Sequence, residues 1–138
     1  MSRIILGSVT TVHIVDLNCD VVAKVDTGAW SGVLHCTDIY EKGGTLYFTP
    51  LGNGALKQST DEYEKRQVRS ASGHADNRYL VPLTFSIDDV TYETVVGLND
   101  RSDMQREMLL GRKFLIENNI LVDVTLTLDE DYEAEKYL

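Results

Sequence analysis

Short β-rich runs recur along this chain, and each is cut off by Gly, Asn or Asp before a helix of useful length could form. "RIIL", "TTVHIV" and "DVVAKV" come first, with "DLNCD" as the turn between the last two. "GTLYFTP" follows the "EKGG" turn. "QVRSASGHADNRYLVPLTFSI" reads as a hairpin with a polar tip around Gly73 to Asn77, and "VTYETVVGL" pairs back after Asp88-Asp89. "ILVDVTLTL" returns to strand. One helix is expected, in "GRKFLIENN", where Phe114 and Leu115 are apolar and Asn118-Asn119 end it. The polar, turn-rich "PLGNGALKQSTDEYEKR" reads as a surface loop. The class is mainly β. Many short strands leave exposed edges unless the sheet closes, so a small β-barrel with one short helix near the end is the expected architecture.

A length of 138 residues with 43% hydrophobic content suits one domain with one modest core. The net charge of −9 disfavours phosphate backbones and anionic lipid surfaces, so no nucleic-acid or membrane partner is expected. No apolar run approaches the roughly 20 residues that span a bilayer. Two cysteines, Cys19 and Cys36, are too few for a disulfide framework, and no signal-peptide order is visible at the N-terminus. A reducing, cytoplasmic location is the expectation. The acidic end, "LDEDYEAEKYL", reads as a solvated extension.

Chemistry is concentrated in "AKVDTGAWSGVLH". Its flanks are apolar enough for the core, where an unpartnered carboxylate such as that of Asp26 is costly. An acid, a hydroxyl and a glycine at a strand end also make an ordinary turn. A second motif sharpens the reading: "MLLGRKFL", in which Leu109 and Leu110 precede Gly111. Metal chemistry lacks a comparable signal. His13, His35, His74, Cys19 and Cys36 form neither H-E-x-x-H nor C-x-x-C, and His35 and Cys36, adjacent on a strand, point to opposite faces. No metal and no cofactor are expected.

Taken in order, "DTGA", a hairpin around Gly73 and the Leu-Leu-Gly segment with its helix resemble the retropepsin-like aspartic protease fold. The blocks "AKVDTGAWSGVLHC", "RQVRSASGHADNRYLV", "LNDRSDMQREMLLGRKFL" and "ILVDV" are similar to the bacterial and archaeal ATP-dependent zinc protease family, which shares that fold. They run from about Ala23 to Val124. No "GxxxxGK[ST]" stretch accompanies them, so the ATP of the family's label has no visible element here.

The resemblance implies a retropepsin-like domain over residues 1–128 followed by an acidic tail, 129–138. It implies that Asp26, Thr27 and Gly28 form half of an active site completed by a second copy of the chain. Thr27 would hydrogen-bond across the two-fold axis, and Gly28 would let substrate backbone approach. Ala29, Trp30, Ser72, Gly73, His74, Arg69 and Arg112 would contact substrate or form the flap, with Leu109, Leu110 and Gly111 as the segment behind the active loop. Two positions depart from the pattern. Viral retropepsins usually carry an acid where Trp30 stands, paired with the arginine after the later glycine. Arg112 therefore needs another acidic partner or faces substrate. The "SVTTV" after Gly7 is also unlike the family.

Some members of this family sit beside ligases that add glutamates to a ribosomal protein. A carboxylate-rich substrate would suit Arg69, Arg78, Arg101 and Arg112, since guanidinium grips carboxylate in a two-pronged way. The expected function is a homodimeric aspartic peptidase acting on peptide amides, with glutamate-modified tails as one substrate class. The competing reading is a binding or dimerisation module that keeps the fold without useful catalysis.

Overall fold

A computed structural model describes residues 3–69, 73, 75–102 and 106–127. The strands are β1 (Ile4–Leu6), β2 (Val9–Ile14), β3 (Cys19–Val25), β4 (Gly32–Lys42), β5 (Thr45–Pro50), β6 (Gln58–Thr60), β7 (Glu64–Arg69), β8 (Ala75–Ile87), β9 (Val90–Asn99), β10 (Met108–Leu110) and β11 (Ile120–Val122). The helix α1 (Arg112–Glu117) lies between β10 and β11. The acidic tail lies outside the described residues.

The barrel expected from the sequence is present. Its strands run β10-β3-β2-β8-β9-β4, and β10 closes the ring by pairing with β3 in parallel and with β4 antiparallel. Beyond the ring, β4 continues into a smaller sheet with β5 and β6, and β7 extends β8 into a long hairpin. A separate parallel pair, β1 with β11, joins the two ends of the described chain.

Alternation builds most of the barrel. In β3 the side chains of Val21, Ala23 and Val25 are buried while Asp20, Val22 and Lys24 face out. Phe85 and Tyr92, opposite each other on β8 and β9 with ring centroids 6.0 Å apart, meet the Phe114 ring of α1 at 5.3 and 5.2 Å. Burial of Phe114 and Leu115, worth about 1.5–3 kcal/mol each, fixes a helix too short to be stable by itself.

Strands β4, β6 and β10 and the start of β7 lie where no strand is expected from the residue pattern. Val33, Leu34, His35 and Cys36 of β4 are all buried, so its first half lacks an apolar–polar alternation. Its pairing with β5 then slips between Thr37 and Tyr40, around Asp38 at φ 51°. Strand β10 is only three residues long, and all three are buried. The stretch expected to be loop contains β6 and the start of β7, whose polar side chains reflect their places at the sheet margin. "ILVDVTLTL" is strand only through Val122. There Asp123 takes the amide and hydroxyl of Thr125 and turns the chain.

Candidate active site

The loop from Asp26 to Ser31 leaves the end of β3 and enters β4, and β10 lies between those two strands. Their backbones lock together. Asp26 N donates to Leu110 O at 2.9 Å, Arg112 N to Ala29 O at 2.8 Å and Lys113 N to Trp30 O at 3.1 Å. Leu109 and Leu110, expected as part of the segment behind the active loop, are strand residues whose backbone braces that loop. Gly111 is required by contact: a Cβ there would lie 2.6 Å from the Trp30 carbonyl oxygen and 2.7 Å from the Ser31 carbonyl carbon. Gly32 is equally constrained, since its Cβ would meet Leu109 O at 2.9 Å. The sequence reading missed Gly32; the register of β4 against β10 was the missing information.

Within the loop, Asp26 Oδ1 accepts the Gly28 amide at 2.9 Å, and Ala29 N donates to Asp26 O at 3.2 Å. Asp26 is half-buried, whereas Thr27 and Gly28 are exposed. A carboxylate with a bonded, fixed orientation stands beside an open face, the arrangement that a second copy of the loop could complete.

Arg112 is expected to find another acidic partner or to face substrate, and its contacts here are with the active loop itself. Its Nη1 donates to Thr27 O at 2.9 Å, and its guanidinium lies 5.6 Å from the centroid of the Trp30 ring. Among the described residues no acid pairs with it. Trp30, 53% exposed, covers the guanidinium that an acid would otherwise neutralise. The departure at Trp30 and the fate of Arg112 are therefore one substitution of stacking for charge pairing.

A cleft opens beside the loop, bordered by Trp30, Glu64, Arg66, Val95, Lys113 and Phe114. Arg66 is held by Glu64, with Nε to Oε1 at 2.8 Å and Nη2 to Oε2 at 3.2 Å, and the stem of Arg78 packs against Gly97. Gly73 is left-handed at φ 84°, suiting a turn at the end of the β7–β8 hairpin. Ser72 and His74 lie outside the described residues, as does the side chain of Arg69. Among the described residues no group of three His, Cys, Asp or Glu side chains converges as a metal site. His13 pairs with Asp20 at 2.6 Å, and His35 Nδ1 accepts the Arg101 amide. Cys19 and Cys36 are free thiols, and burial pushes the Cys36 thiol up to about 12.

Residues 5–131 match the model of the RimB-like family, described as retropepsin-like aspartic endopeptidase RimB. The chain belongs to that family. A crystal structure of a protein of unknown function (DUF785) from Legionella pneumophila is 31% identical, with a TM-score of 0.65, over 91% of this chain and 97% of that one. A probable alpha-L-glutamate ligase of Desulfotalea psychrophila is 22% identical over 108 residues. The match takes in 72% of this chain and 23% of the ligase, so the chain spans about a quarter of that relative's length. No helix among the described residues is long and apolar enough to cross a membrane.

Proposed function

We propose that this RimB-like chain is one half of a homodimeric aspartic peptidase whose site is a pair of Asp26 carboxylates facing each other across a two-fold axis. The observation that carries the reading is the Asp26 loop. It is braced by Leu110, Gly111 and Arg112, its carboxylate is oriented by the Gly28 amide, and its Thr27-Gly28 edge is exposed.

Two such carboxylates cannot both ionise at close range, so they hold one proton between them and titrate as a unit. The ionised member takes a proton from water as the water oxygen attacks the amide carbon, and the neutral member donates to the carbonyl oxygen. Collapse breaks the C–N bond, the nitrogen takes up a proton, and an acid and an amine leave. Thr27 pairs across the axis, while Ser72, Gly73 and His74 cover the bound chain.

Glutamate-rich protein tails are the substrate class we favour. Lys113 borders the cleft beside Trp30, Arg78 lies next to it at Gly97, and one relative is named for glutamate ligation. Arg112 is committed to Thr27 and Trp30, so it supports the loop while other cations meet the substrate. Two free cysteines accord with the reducing cytoplasm as the place of action.

The test is hydrolysis of an unbiased peptide mixture and of glutamate-tailed peptides by wild type and Asp26→Asn. Cleavage present in the first and lost in the second supports the shared pair. Cleavage that survives the substitution places the chemistry elsewhere, and cleavage by neither protein favours a binding module built on the same fold.

A further inference from the structure

His35 is a buried imidazole that the peptidase mechanism does not use. Only 7% exposed on β4, it ties down both ends of the connection between β9 and β10. Its backbone N–H donates to Glu107 O at 2.7 Å, immediately before β10. Its ring Nδ1 accepts the backbone N–H of Arg101 at 2.7 Å, just after β9. Strand β10 in turn receives the Asp26 amide on Leu110 O. One residue thus links the β9–β10 connection, through β10, to the loop that carries the carboxylate.

We propose that His35 is a positioning residue for the Asp26 site that works only while its imidazole is unprotonated. The inference rests on the reading of Asp26 as the reactive group. A backbone N–H can only donate, so Nδ1 presents its lone pair to Arg101 and the ring proton sits on Nε2. A second proton would turn Nδ1 into a donor facing a donor. An alternative acceptor is the Asp100 carboxylate, whose Oδ1 lies 3.9 Å from Nδ1 and is held by the amide and hydroxyl of Ser102. Trading Arg101 for Asp100 requires the chain at Asp100–Ser102 to shift.

Among the described residues, the charged groups next to the ring's Nδ1 partner are Asp100, and Arg101, whose Nε donates to Arg106 O at 3.0 Å. Leu51 N donates to His35 O, and the region beside Nε2 is formed by Gly52 and Thr37. Protonation therefore acts at Asp100 and Arg101, and the bonds of His35 N to Glu107 O and of Asp26 N to Leu110 O carry its effect through β10 toward Asp26.

The experiment is an NMR pH titration of the wild-type chain. It follows the ring nitrogens of His35 and the exchange protection of the Arg101 and Val96 amides. The expected result is an Nε2–H tautomer at high pH. As the ring takes its second proton, Arg101 should lose protection roughly tenfold, about the worth of one hydrogen bond, while Val96 holds. His35→Asn, which offers an uncharged acceptor, should keep Arg101 protected at every pH, and His35→Leu should lose it at every pH.

In peptide hydrolysis, kcat/KM of wild type should fall as His35 protonates, and that limb should be absent in His35→Asn. An Nδ1–H tautomer at high pH, or Arg101 protection indifferent to ring protonation, overturns the proposal. The amide measurements decide even if no peptide is cut, an outcome that would count against the peptidase reading alone. The wild-type titration decides if either variant fails to fold.

Discussion

Space at single positions controls the Asp26 loop. Gly111→Ala would drive a methyl into the carbonyls of Trp30 and Ser31, with no flexible side chain to give way. It is expected to cost about 1–3 kcal/mol in urea unfolding, as overpacking does. The same displacement moves the loop, so hydrolysis should fall further than stability. At Trp30 the contribution is stacking on Arg112, worth about 0.5–1 kcal/mol at an exposed site. Trp30→Phe should keep most of it and Trp30→Ala should lose it, read as a difference in melting temperature. Cys36, fully buried with its thiol pushed up to about 12, should ignore a thiol reagent until the chain unfolds, whereas Cys19 reacts in the native state. Two thiols modified at equal rates would contradict the burial of β4.

The β7–β8 hairpin is anchored at its base by Glu41, near the end of β4. Tyr63 donates to Glu41 Oε2, Lys65 Nζ lies 3.2 Å from Oε1, and the Tyr63 ring meets Tyr79 edge-on at 6.0 Å. The Tyr63 hydroxyl and then Lys65 lower the Glu41 carboxyl from its ordinary value, and Glu41 pushes the Tyr63 hydroxyl up to about 12. A lowered carboxyl contributes stability that is full above its unfolded value and fades as pH falls through its folded one. The raised phenol and raised Lys65 ammonium contribute below their unfolded values and fade as pH rises through the folded ones. Glu41→Gln should therefore lower the melting temperature most between these limits, and the difference from wild type should shrink in acid. A constant difference down to pH values below the carboxylate range would show that Glu41 acts by packing alone.

At the scale of the molecule, one chain supplies one Asp26, so activity should require association. Hydrolysis per chain should fall on dilution in step with the dimer fraction seen by sedimentation, and excess Asp26→Asn chain should poison wild type by forming mixed pairs. Rates independent of dilution and of added variant would argue for a site complete within one chain. Much of this molecule was legible in the order of residues: β3 from its alternation, α1 from Phe114, Leu115 and its terminal asparagines, and the Asp26 loop with its Leu-Leu-Gly partner from two short motifs. Those features depend on local periodicity and on chain chemistry, which a sequence records directly. Strand β4 is buried on both faces and kinked at Asp38, β10 has three residues, and Gly32 matters because β10 happens to pass it. Arg112 turned from a missing acid to a carbonyl and a tryptophan, and His35 bonded to an amide sixty-six positions away. Such contacts join residues distant in sequence, and only closure of the barrel sets which of them meet.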